Sequence, residues 1–164
     1  MNALRYPSVL PAVLASALGL LTLTGCGGPD TDLEQAFCDL LAAPEVAYTA
    51  TVDTEQAPTV DLEDTHVELE LEADGEYFSG SVIFAADEAG TFAFGLSEDV
   101  PFAVTDLQGR PASIINTERG SEACAELVVR HTVEMEVKDY LLIFGPADVD
   151  EVDLVGEESD DDLS

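Results

Sequence analysis

His66-Val67-Glu68-Leu69-Glu70-Leu71-Glu72 alternates apolar and acidic residues almost without fault. Side chains of an extended chain point to opposite faces in turn, so a period of two sorts these residues into one dry face and one wet face only if the stretch is a β-strand. Ala73-Asp74-Gly75 follows as a turn signal, and Tyr77 to Ala85 reads as the returning strand. On either side, Val46 to Val52, Gly90 to Leu96, Val100 to Thr105, Ala112 to Thr117, Leu127 to Val137, Tyr140 to Phe144 and Val149 to Val155 are short apolar or β-branched runs. Gly, Pro and acidic clusters separate them, and no long helical pattern intervenes. The pattern predicts an all-β fold: an antiparallel β-sandwich or jelly roll of about eight strands.

One helix precedes the strands. Thr31-Asp32-Leu33-Glu34 matches a capping box, and Leu33, Phe37, Leu40 and Leu41 recur at helical spacing. These residues predict a short amphipathic helix over 32–43, ended by Pro44.

The N-terminus has a different character. Arg5 is the only charge in Met1 to Pro7, and Ser8 to Thr24 has none. This is a short basic region followed by an apolar region too short and too interrupted, by Pro11 and Gly19, for a membrane-spanning helix. It ends in Leu23-Thr24-Gly25-Cys26. These four residues resemble the lipobox of a bacterial lipoprotein precursor. The resemblance implies cleavage after Gly25, a diacylglycerol on Cys26, and two or three acyl chains, which suffice for durable membrane attachment where one does not. Gly at position 27, by analogy with enterobacterial sorting, favours the outer over the inner membrane. The chain therefore divides into a removed signal peptide (1–25), a lipidated tether (26–32), a β-sandwich domain with its N-terminal helix (33–155) and an acidic tail (156–164). The tail is expected to be disordered on composition.

Charge restricts the partners. The chain holds 35 acidic and 5 basic residues, a formal net charge of −30. Such a surface repels nucleic acid and anionic headgroups, so the lipid is the expected membrane contact and nucleic acid is excluded. A cationic ligand or Ca²⁺ is compatible with the charge, although no D-x-[DN]-x-[DN]-G loop supports an EF-hand.

Catalytic and metal-binding residues are few. There is no Gly-x-Ser-x-Gly, His-Glu-x-x-His, Cys-x-x-Cys or phosphate-cradling Gly-rich loop, so no enzyme and no cofactor is expected. With Cys26 lipidated, Cys38 and Cys124 remain in a compartment where disulfides persist, and their pairing would clip the helix to the late part of the sandwich. Free thiols acting as metal ligands or redox groups are the alternative. His66 and His131 open two similar units, His66-Val67-Glu68-Leu69-Glu70 before Tyr77-Phe78 and His131-Thr132-Val133-Glu134-Met135-Glu136 before Tyr140-Leu141. On neighbouring strands these imidazoles would suit Zn²⁺ or Cu²⁺ with a nearby carboxylate. With no Trp and only Tyr48, Tyr77 and Tyr140 after the signal, a carbohydrate platform is hard to assemble. The repeated unit, a polar strand turning into a Tyr-led one, faintly resembles prepeptidase C-terminal β-sandwich domains, which implies fold and nothing about activity. The expected role is binding or structural at the cell envelope, with protein or small-ligand partners open.

Overall fold

A computed structural model describes residues 29–159. One helix, α1 (Pro29–Leu41), leads into ten strands: β1 (Glu45–Ala50), β2 (Thr59–Val60), β3 (His66–Asp74), β4 (Tyr77–Ala86), β5 (Gly90–Leu96), β6 (Phe102–Asp106), β7 (Ser113–Arg119), β8 (Val129–Met135), β9 (Lys138–Ala147) and β10 (Glu151–Ser159). The all-β expectation holds, and the one strand absent from it is the two-residue β2.

The strands run β6-β9-β4-β3-β10-β5-β8-β7, with β1 parallel to β3 and β2 parallel to β4 at the margins. All other pairings are antiparallel. β3 pairs with β10 through Val67 to Glu70 and then with β4 through Glu72 to Asp74, so it passes from one layer to the other. β3 pairs with β10, β4 with β9 and β5 with β8. The β6–β7 turn closes through Asp106 N–H to Arg110 O (2.8 Å) and Ala112 N–H to Val104 O (2.9 Å). This nested order, outermost strands together and innermost strands joined by a hairpin, is a jelly roll, which leaves few open edges.

The period-two stretch does what its pattern requires. Val67, Leu69 and Leu71 enter the core with at most 3% exposure, while Glu70 and Glu72 stay outside. The facing layer contributes Val82, Leu142 and Phe144, and Phe92, Phe94, Val152 and Leu154 complete the interior. Gly75 at φ 72° makes the two-residue β3–β4 turn, a backbone conformation that a side chain disfavours.

Helix α1 lies on the outer face of the sandwich rather than in its interior. Phe37 and Cys38 pack with Ala93, Leu127 and Val155 in a small separate cluster. Gly95 makes room for them: a Cβ there would meet Leu127 at 2.8 Å and Phe37 at 3.1 Å. The helix starts at Pro29, before the capping box, because proline is tolerated in a first turn whose N–H groups have no helical partner. Residues 29–32, read from sequence as tether, are thus helical. Glu34, the acid of that box, instead accepts a hydrogen bond from Ser121 Oγ (2.9 Å).

The C-terminal boundary also moves. Composition ended the domain at Val155 and made 156–164 a disordered tail, yet β10 continues to Ser159. Gly156, Glu157, Glu158 and Ser159 pair with Phe94, Ala93, Phe92 and Thr91 of β5. Ladder hydrogen bonds from a buried neighbour outweigh an acidic composition, and Gly156 is placed where Leu62 covers it, 2.9 Å from where a Cβ would stand. Residues 160–164, like residues 1–28, on which the expected signal peptide, the lipidated Cys26 and the start of the tether fall, lie outside the described residues.

Candidate functional site

The two half-cystines meet. Cys38 and Cys124 form a disulfide with Cα atoms 5.9 Å apart across a sequence separation of 86. The bond lies in the Phe37 cluster and ties the last turn of α1 to the segment before β8. Free thiol ligands are thereby replaced by a covalent brace. Among the described residues no helix is long and apolar enough to cross a membrane.

The histidines do not meet. β3 and β8 are separated by β10 and β5, which at roughly 4.8 Å per strand puts their backbones about 14 Å apart. Pleat parity separates them further: His66 alternates with the core residues Val67 and Leu69, whereas His131 shares parity with the core residues Val129 and Val133. The two rings therefore stand on opposite faces of one sheet. Similar local sequence does not fix strand order, so the shared metal site is not formed. Among the described residues no three His, Cys, Asp or Glu side chains converge on a metal-sized point.

Each ring has its own setting. His131 stacks on Phe102 (centroids 4.9 Å, interplanar angle 21°), and its Nδ1 shares a hydrogen bond with Thr117 Oγ1 (3.0 Å). Burial, then the nearby Arg119, hold its pKa below 6.5. His66 lies between two oxygens. Its Nδ1 is 3.0 Å from the carbonyl of Ala43, and its Nε2 is 2.8 Å from Asp153 Oδ1.

Of the tyrosines considered for sugar binding, Tyr140 is buried and its ring is covered by Lys138 (5.2 Å to the centroid), Tyr48 is half-buried against the main core, and Tyr77 is 49% exposed. A single open ring makes no platform.

Two recesses were not legible in the sequence. The larger, about 960 Å³, lies between the β6–β7 and β8–β9 turns. Buried Asp106 accepts the backbone N–H groups of Gln108 and Arg110 (3.0 Å each) and Nε of Arg110 (2.7 Å). These donors, with the Arg110 N–H first among them, hold its carboxyl below the ordinary range. Lys138 pairs with Glu136 at 3.0 Å. Both cations already have carboxylate partners, so this cluster braces the hairpin.

The smaller recess, about 660 Å³, is chemically more distinctive. Phe84, Phe92 and Phe94 form its floor, and Asp61, Glu63, Asp64, Asp87, Glu88, Glu157 and Glu158 stand around it, with no Lys or Arg in the lining. Half-buried Phe84 meets Phe92 and Phe94 edge-on, at 5.5 and 5.6 Å between centroids. Partial burial, then the charge of Asp64, push Glu157 above the ordinary carboxylate range. These acids come from the link before β3, the β4–β5 turn and the end of β10, segments distant in sequence. Phe92 and Phe94 are buried beneath the recess and Phe84 is the ring left half-open to it, so an unneutralised ring of acids attracts cations there chiefly by its field. Neither a protein-family model nor a curated protein matches the chain, so its role must be argued from its own residues.

Proposed function

We propose that this chain is a bacterial lipoprotein that displays an acidic jelly roll from an envelope membrane and binds an organic cation in the recess floored by Phe84, Phe92 and Phe94. The carboxylate ring without a counter-cation carries the ligand reading. Because no three of these groups converge on one point, a spread-out organic charge suits them better than a metal ion. The Leu23-Thr24-Gly25-Cys26 sequence supports lipidation, and Gly27 favours the outer membrane. Helix α1 begins three residues after Cys26, a reach of at most about 11 Å for extended chain. A lipid at Cys26 would hold the helix end of the domain close to the headgroups.

Two experiments test the two halves. Replacing Cys26 by Ser is expected to move the protein from the membrane to the soluble fraction, and globomycin to accumulate the precursor. Continued sedimentation of Cys26→Ser with membranes would remove the anchor. For the ligand, choline added at constant ionic strength is expected to shift amide resonances in 61–64, 84–88 and 156–158. Glu157→Gln is expected to weaken that binding about two- to five-fold, the scale of one partly exposed charge contact, and Glu70→Gln to leave it unchanged. Equal weakening by both substitutions would mean a diffuse counter-ion effect and no site.

A further inference from the structure

His66 is 7% exposed and faces two groups that can only accept hydrogen bonds, a backbone carbonyl and a carboxylate. A neutral imidazole carries one N–H and can satisfy one of them. The other nitrogen would then present a lone pair to an oxygen at about hydrogen-bond distance, in a place largely closed to water. Only the imidazolium, with both nitrogens protonated, satisfies both contacts.

The partners belong to two different parts of the fold. Ala43 lies in the link between α1 and β1, just beyond the helix's last turn, where Ala42 N–H bonds Cys38 O and Ala43 N–H bonds Leu40 O. Asp153 sits on β10 and is fixed by its backbone, which exchanges hydrogen bonds with Ser97 at the end of β5 (Ser97 N–H to Asp153 O, 3.1 Å; Asp153 N–H to Ser97 Oγ, 2.8 Å). We propose that protonated His66 is the pin of a pH-sensitive latch that fastens the α1–β1 link to the β3–β10 layer, and that loss of its proton releases this link.

The charged groups around the ring are all acidic. Asp153 faces it from β10, Glu45 from β1 and Glu68 from β3 itself, with Glu151 of β10 beside Glu68. Burial opposes the ring's charge, but the Ala43 and Asp153 hydrogen bonds and the charges of Asp153 and Glu45 outweigh it, and the pKa lies above 6.5. A raised folded pKa contributes stability that is complete below the unfolded value near 6.5 and is lost as pH rises through the folded value. His131, depressed by burial, acts with the opposite sign and costs stability as pH falls below 6.5. Comparing wild type with a His66 variant cancels the second effect.

The test is a proton-detected titration of the two histidine rings with amide hydrogen exchange at pH 5.5 and 8.5. His66 is expected to titrate above 6.5, and protection factors in Val46 to Ala50 to fall about ten-fold at the higher pH while those in β9, which carries neither histidine, hold. In His66→Gln, which keeps one donor and no titration, the β1 protection is expected to be independent of pH. Asp153→Asn, which keeps an acceptor but no charge, is expected to lower the His66 titration point. A His66 ring titrating at or below 6.5, or equal pH dependence of β1 protection in wild type and His66→Gln, would overturn the latch.

Discussion

Reducing the Cys38–Cys124 bridge, or replacing both residues by Ser, is expected to lower the stability of the fold by about 3–5 kcal/mol and its melting temperature by about 10–20 °C. The bond closes a loop spanning 86 residues, and in the chain-entropy account a loop of that size removes several kcal/mol of freedom from the unfolded chain. A native-state contribution adds to this. Helix α1 packs on the outside of the sandwich through a small cluster of Phe37, Ala93, Leu127 and Val155, not through the main core. A helix of 13 residues has little stability of its own, so without the bond it is held by few contacts. Urea denaturation of oxidised and reduced protein measures the difference. Thiol alkylation without reductant is expected to modify neither Cys38 nor Cys124. A stability change below about 1 kcal/mol would mean that the helix docks without the bridge and that the reduced unfolded chain is already compact.

Phe94→Ala is the second large effect, at about 3–5 kcal/mol, the range for truncating a fully buried aromatic ring. Phe94 is completely buried, meets Phe84 at 5.6 Å with perpendicular planes, and lies 5.8 Å from Phe102, which in turn contacts Phe144. Its removal takes away transfer energy and leaves a hole that β5, paired on both sides by β10 and β8, cannot move to fill. Ile115→Ala, at an exposed position on β7, is expected to change stability by less than about 0.5 kcal/mol. Chemical denaturation of both variants gives the contrast. Because Phe94 also floors the acidic recess, a small effect there would show that this wall of the recess yields, and would weaken the case for a preformed ligand site.

Much of the fold was legible in the residues because its causes are local. Alternation at 66–72, the Asp74-Gly75 turn and the β-branched runs each report the backbone of their own segment, and nine of the ten strands follow from them. The misreadings came where a distant neighbour decided. Gly156 to Ser159 is acidic by composition but is a strand because β5 lies beside it. The helix begins at Pro29, ahead of the predicted capping box, and Glu34 accepts a hydrogen bond from the distant Ser121.

Sequence by itself determined the anionic character of the molecule, the strand-forming segments, and, given a lipidated Cys26, the single pairing open to the remaining cysteines. Only the tertiary structure decided which face each histidine occupies and which groups surround it. Two like strand motifs put His66 and His131 on opposite sides of a sheet, because strand order and pleat parity are properties of pairing and not of the motif. His66 and its partner Asp153 stand 87 residues apart in the chain, and the acids of the recess come from three separate segments. Contacts of that span depend on how the jelly roll closes, a choice that no single stretch of residues encodes.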